Sequence, residues 1–386
     1  MKKVKITDLC LNSFWIMPQT PKYIDKGIPY ITSKNIKNGC VNFDRISYIS
    51  EDDYNKISKN REIIENDFLI SMIGTIGEVA IVKKSDLSFY GQNMYLLRFD
   101  KNKVNYKFMY YFLTSPNTKN ILLQNKNNST QGYIKYKTIT NLDVNIYDIK
   151  KQDEIVAKLD KLCDILAFQE KKLEKLDLLV KSQFIEMFGT LQDSKYNVKT
   201  IEDLCEFVKD GTHQTPIYTD DKINGFKFLS SKDVTSGYIN WDNIKYIPEH
   251  LHNELYARIK PQRNDILLAK NGTTGISAIV ETDDVFDIYV SLALLRFHPE
   301  NNIKYLWIAL NMPDTKKQFN DSLKGVGVPN LHLGEIKKTK LLIPPIELQN
   351  QFADFVKHID KLKFSTKKSI EKLEICYKSL MQEYFG

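Results

Sequence analysis

The side chains that most often carry out chemistry are few in this chain and unevenly placed. All six histidines (His213, His250, His252, His298, His332 and His358) lie in the second half. Only His250 and His252 sit close enough to suggest a pair, and no further ligands at metal-binding spacing accompany them. They therefore read as satisfied or solvent-facing histidines. The five cysteines are odd in number and include no C-x-x-C, which argues against a disulfide framework and a zinc knuckle. Cys10 and Cys205 stand in matching Asp-Leu-Cys triplets and read as small core residues, not reactive thiols. "GTIG" (74–77) and "GTTG" (272–275) lack the Gly-Lys-Ser/Thr ending of a phosphate-binding loop. As bare G-x-x-G they weakly suggest an RNA clamp, which the flanking strand text does not support. "IPPIE" (343–347) lacks the Asn or Asp that would make it a base-methylating motif. "PDTKK" (313–317) has part of a nuclease pattern, but its counterpart "PNTKN" has no acid there, so a helix-end turn is expected. The chain reads as non-catalytic, without metal and without cofactor.

What remains suits the recognition of base edges and phosphates. Ser33, Lys34 and Asn35 match Ser231, Lys232 and Asp233. Thr75 and Thr273 sit between glycines, with Lys270 and Asn271 just before the second loop. Two polar, glycine-bearing segments supply Gln131, Tyr133 and Lys135 in one half, and Lys324 and Asn330 in the other. These are the side-chain types that bond bases and phosphates. Ordinary solvated turns would use the same types, so each residue is a candidate only.

The elements that must position them are written twice. "NDFLISMIGTIGEVAIV" (66–82) returns as "NDILLAKNGTTGISAIV" (264–280) with nine of 17 positions identical. "ITDLC" (6–10) faces "IEDLC" (201–205), "PQTPKY" (18–23) faces "HQTPIY" (213–218), and "LLRF" (96–99) faces "LLRF" (294–297). "KFMYYFLTSP" (107–116) faces "KYLWIALNMP" (304–313), and both copies close on "FG". The offset stays between 195 and 198 residues, which marks a tandem duplication. The first 150 or so residues of each copy predict a mixed α/β unit. "CVNFDRISYI" and "GYINWDNIKYI" read as strands, and short amphipathic helices end at Pro116 and Pro313.

Each copy finishes in a Gly- and Pro-free heptad pattern. Leu159, Leu166, Leu173 and Val180 repeat every seven residues beside Leu162 and Leu176. In the second copy Phe352, Ile359, Leu373 and Leu380 run beside Val356 and Ile370, and Gln169 and Thr366 are equivalent polar seam positions. Neither helix can bury its stripe alone, and the other helix is the expected partner. The expected class is α+β: two tandem-repeat mixed α/β domains separated by two long helices forming an antiparallel coiled coil. The expected segments are 1–150 and 190–346 for the domains, and 151–189 and 347–386 for the helices. Under such symmetry the two termini lie close together.

With 42% apolar and 27% charged residues, the chain has the composition of a globular protein. No run approaches the roughly 18 apolar residues of a membrane span, so no membrane partner is expected, and the cysteine usage points to a reducing cytoplasm. The net charge of +7 lies entirely in residues 1–189, with 29 Lys and Arg against 22 Asp and Glu. The remainder balances at 26 against 26.

"KDGTHQTP" (209–216), "LLAKNGTTG" (267–275), "GVPNLHLGEI" (327–336) and "IPPIELQNQFADFV" (343–356) together resemble the DNA specificity subunits of type I restriction–modification systems. The repeat carries the resemblance across nearly the whole chain. The first copy departs from it at "WIMPQTPKY", and at "NIYDIKKQDEIVAKL", which lacks the double proline but keeps Gln152. The resemblance implies two target recognition domains, each reading one half of a bipartite site on double-stranded DNA. It implies helices that set the spacer and dock two methyltransferase subunits, with motor–nuclease subunits joining for cleavage. An adaptor for a methylation-only complex would have the same sequence. A nucleic-acid-modifying enzyme with an unrecognised site is the competing class.

Overall fold

The computed structural model describes residues 2–86, 88–127, 132–234, 237–323 and 329–386. In it the repeated text forms strands Phe68–Ser71 and Ile266–Ala269, buried at every residue. Each is an inner strand of a four-stranded antiparallel sheet. The order is Cys10–Ile16, Met94–Phe99, Phe68–Ser71, Val79–Ile81 in the first copy. It is Cys205–Asp210, Leu292–Phe297, Ile266–Ala269, Ser277–Ile279 in the second. Successive side chains point to opposite faces of a sheet. Phe68 and Ile70 enter one core with the short helices, while Leu69 enters another beneath a three-stranded sheet. Ile266 and Leu268 part from Leu267 and Ala269 in the same way. Because both faces are covered, the strand text shows no polar alternation.

The "ND" that opens each repeat is a backbone device. Asn66 and Asn264 take φ of 68° and 73°, the left-handed region that Asn tolerates. The next residue is a buried carboxylate. Asp67 receives two 2.8 Å hydrogen bonds from Arg98, through Nε and Nη2, and Asp265 receives the same pair from Arg296. The same Nη2 of each arginine also donates to a backbone carbonyl, Glu62 O or Lys260 O, each at 2.8 Å. "ND" and "LLRF" are thus two ends of one clasp, which is why they recur together.

The chain divides into two units, 2–171 with 367–386 and 172–366. Helices Ile149–Phe188 and Ile346–Phe385 each contain 40 residues, about 60 Å at ~1.5 Å per residue. In the first unit Ile155 and Leu159 share a core with Met381, Tyr384 and Phe385, and Cys163 packs beside it with Tyr377. In the second unit Lys363 pairs with Asp177 at 2.5 Å, and Phe352 lies edge-on to Phe184 and Phe188. As one index rises from 163 through 177 to 188, its partner falls from 377 through 363 to 352, as antiparallel helices require. The seam positions Leu159, Leu176, Val180, Phe352, Val356 and Ile359 are buried. Leu162, Leu166, Leu173, Ile370, Leu373 and Leu380 are half-buried.

Glutamine fastens each helix to its domain. Gln152 accepts from Asn105 N at 2.8 Å and donates to Tyr147 O at 2.8 Å; Gln349 accepts from Asn302 N and donates to Pro344 O, both at 2.9 Å. Two sequence expectations need correction. The short helices before Pro116 and Pro313 are present as expected, but "PDTKK" is not a helix-end turn: each proline opens another helix, Pro116–Gln124 and Pro313–Asp321, because a first-turn position needs no N–H. "CVNFDRISYI" supplies strands only at Cys40–Val41 and Ser47–Ile49, and "GYINWDNIKYI" only at Lys245–Ile247.

Candidate nucleic-acid interface

In each unit, segments far apart in sequence meet at one edge. In the first, Ser33 donates to Ile73 O at 2.6 Å, Ile73 forms a bridge with Tyr133, and Met72 N donates to Asn93 O at 3.0 Å. In the second, Ser231 N donates to the Ser291 hydroxyl at 2.9 Å, Lys270 N donates to Ser291 O at 2.8 Å, and Asn271 bridges Asn330. Both edges contain the turn at 33–35 or 231–233, the glycine loop and the late polar segment.

The glycine loops expose the first of the two residues between the glycines. Gly74 and Gly77, like Gly272 and Gly275, take φ between 75° and 79°. A Cβ on Gly77 would stand 3.2 Å from Leu122, and one on Gly275 would stand 3.0 Å from Phe319, so the loop lies tight on the helix below it. Gly74 and Gly272 face open space. Thr75 and Thr273 are exposed, as are Lys34, Tyr133, Lys135 and Lys232; Ser231, Asn271 and Asn330 are partly exposed.

Four candidates are corrected by their surroundings. Ser33 is buried on Ile73 O. Asn35 accepts from Thr32 N at 3.0 Å and donates to Asn42 O at 2.9 Å, and Asp233 accepts from Ser230 N at 2.7 Å. Asn and Asp build these turns because a short polar side chain closes on the backbone nearby. Lys270 is 5% exposed and pairs with Asp210 at 2.8 Å. These four shape the edge from beneath it. Lys135 lines a cavity of about 450 Å³ with Lys3 and Gly386, apart from the loop. Gln131 and Lys324 lie outside the described residues.

Other residues at the edges are absent from the sequence candidates. Gln92 accepts from Thr20 at 3.3 Å, and the amide oxygen of Asn93 is buried with no partner among the described residues. In the second unit His213 Nε2 lies 3.1 Å from Asp210, and Arg258 donates to Asp210 O at 2.7 Å. Strand register places Trp15 and Met72 where the second unit has Asp210 and Lys270. One frame thus carries apolar residues in one copy at the positions where the other carries an ion pair.

His252 is a satisfied core histidine, stacked 3.7 Å on Phe226 and bonded to Asp287 at 2.7 Å. Burial pushes Asp287 up to about 6, against the lowering effect of His252. Burial likewise pushes the Cys10 thiol up to about 12 and raises that of Cys205, the state of inert core thiols. Among the described residues no group of three or more His, Cys, Asp or Glu side chains could hold a metal. No helix among them is long and apolar enough to cross a membrane.

The duplicated frame has known counterparts. The family described as "Type I restriction modification DNA specificity domain" matches twice, over residues 1–178 and 193–375. The MjaVIII type I restriction enzyme specificity subunit of Methanocaldococcus jannaschii is 25% identical over 373 residues, covering 92% of this chain and 84% of that protein. The putative MjaX specificity subunit of the same organism is 23% identical, covering 92% and 85%. A chain from a structure described as the basis of complex assembly and conformational transition of the type I R-M system matches with a TM-score of 0.65 at 13% identity. It covers all of this chain and 97% of its own. The S subunit from M. genitalium matches at 0.50 and 16%, covering 100% and 96%. With both copies matched, the chain belongs to the type I restriction–modification DNA specificity family, as a non-catalytic specificity subunit with DNA and methyltransferase as its partners.

Proposed function

We propose that residues 1–150 and 190–346 are target recognition domains that each read one half of a bipartite DNA site. Helices 151–189 and 347–386 set the spacer between the half-sites and dock two methyltransferase subunits; motor–nuclease subunits join where the system cleaves. The working compartment is the cytoplasm. One observation carries this reading. The same edge is assembled twice on the same frame, while the side chains offered there differ between copies. A protein reading two unlike half-sites needs that combination, because phosphate contacts position it and base contacts specify.

Exposed Lys34, Thr75 and Tyr133 on one edge, and Lys232, Asn271, Thr273 and Asn330 on the other, are the proposed contacts. Gln131 and Lys324 remain candidates on sequence alone. Adenine methylation mapped across the genome of cells carrying this chain with its methyltransferase, and of cells lacking the chain, tests the reading. A split motif that vanishes with the chain is expected. A contiguous motif, or an unchanged pattern, would overturn it.

A further inference from the structure

Comparing the copies residue by residue isolates one lysine in the second unit that has lost its acid. Lys119 and Lys316 are equivalent positions, each three residues after the proline that opens its helix. In the first unit Lys119 lies 3.7 Å from Glu78, the residue after the glycine loop. In the second unit that residue is Ile276. Lys316 instead donates to Gly275 O, and burial with the nearby charge of Lys181 pushes its amine down to about 8. Beside it opens a groove of about 470 Å³ lined by Trp307, Ile276, Met312, Lys181 and Lys363. Asp177 also lines it but is held by Lys363 at 2.5 Å. Among the described residues, Lys181 and Lys316 have no carboxylate partner.

We propose that this groove receives an acidic side chain, flanked by apolar ones, from the methyltransferase subunit bound at the second unit. The first unit answers its own lysine internally through Glu78, so the two docking positions differ. Charge complementarity and apolar walls argue for a polypeptide occupant, and Glu78 shows that a carboxylate is the group this frame places near that lysine. The inference rests on the docking role proposed above.

The test uses the full chain and its methyltransferase. Ile276→Glu supplies the missing acid in cis and should weaken one of the two methyltransferase binding steps about tenfold, with a shallower salt dependence, while the other step is unchanged. Glu78→Ile should leave the step at the second unit unaltered. Lysine acetylation footprinting reads the site without mutation: Lys316 and Lys181 should be protected when methyltransferase binds and remain labelled with DNA alone. Unchanged affinity in Ile276→Glu with Lys316 still labelled in the complex overturns the proposal, as does protection by DNA alone. If the unaltered chain binds no methyltransferase, the docking role itself fails.

Discussion

Arg296 has both of its carboxylate-facing nitrogens on Asp265, whose side chain is 3% exposed. A bidentate guanidinium–carboxylate pair of this kind is geometrically specific. Removing one partner leaves a charge poorly solvated, so Asp265→Ala should lower stability by about 3 kcal/mol, measured by urea unfolding; a change under a third of that would mean the clasp is dispensable. Asp287 makes a different prediction. Its folded pKa of about 6 lies above the roughly 3.9 of an unfolded Asp. The protonated form is therefore favoured in the fold, and its contribution to stability is present below about pH 4 and lost as pH rises through about 6. Relative to Asp287→Asn, the natural chain should lose stability across that window and run parallel above it. Trp241, 5.4 Å from Phe286, is a local fluorescent reporter. A difference that is flat from pH 4 to 7 would refute the assignment. At this scale the sequence displayed the residues but not their employment. "ND" and "LLRF" were visibly repeated, yet nothing local says that the Asp and Arg meet across 31 positions. Asn35 and Asp233 have the composition of base contacts, and only the turn geometry reveals that their polar atoms are already committed.

The long helices were legible because a seven-residue apolar repeat is the spacing that a packed helix imposes and that strands and turns do not. Gln152 and Gln349, which fix where those helices leave their domains, are single polar letters with no periodicity to betray them. The short strands were harder still. Pieces of two or three residues exist only through their sheet partners, so their text carries little signal of its own. The antiparallel pairing yields an expectation for the proposed ruler. Deleting one equivalent heptad from each helix, residues 166–172 and 363–369, removes about 10 Å of helix. That corresponds to about three base pairs at ~3.4 Å per step. Methylation mapping should return the same two half-sites with a spacer altered by about that amount. Half-sites at the original spacing would show that something other than these helices sets the distance.

For the whole molecule, the duplication predicts that the two helix-to-domain connections are equivalent. Lys3 and Gly386 line the same cavity of the first unit, and Asn117 donates to Phe385 O at 3.0 Å. In the second unit Asp314, the counterpart of Asn117, accepts from Leu191 N at 2.9 Å, within the connection from the first helix to the next strand. A permutant that joins Gly386 to Met1 through a copy of 190–196 and opens at Gly189 should fold with unfolding midpoints close to those of the parent. An insoluble or much destabilised product would count against the equivalence of the two connections.

The division into units also has a consequence for synthesis. The second unit is continuous in sequence, whereas the first is closed by Met381, Tyr384 and Phe385 packing with Ile155 and Leu159. Translation delivers those closing residues after the whole of the second unit. Of the two units, the one begun earlier is therefore finished later, and the second can complete its core while the first still waits. A chain cut off before residue 367 would leave the first unit without Met381, Tyr384 and Phe385, and so with an open apolar face. A later stretch of the message thus certifies a unit begun well before it.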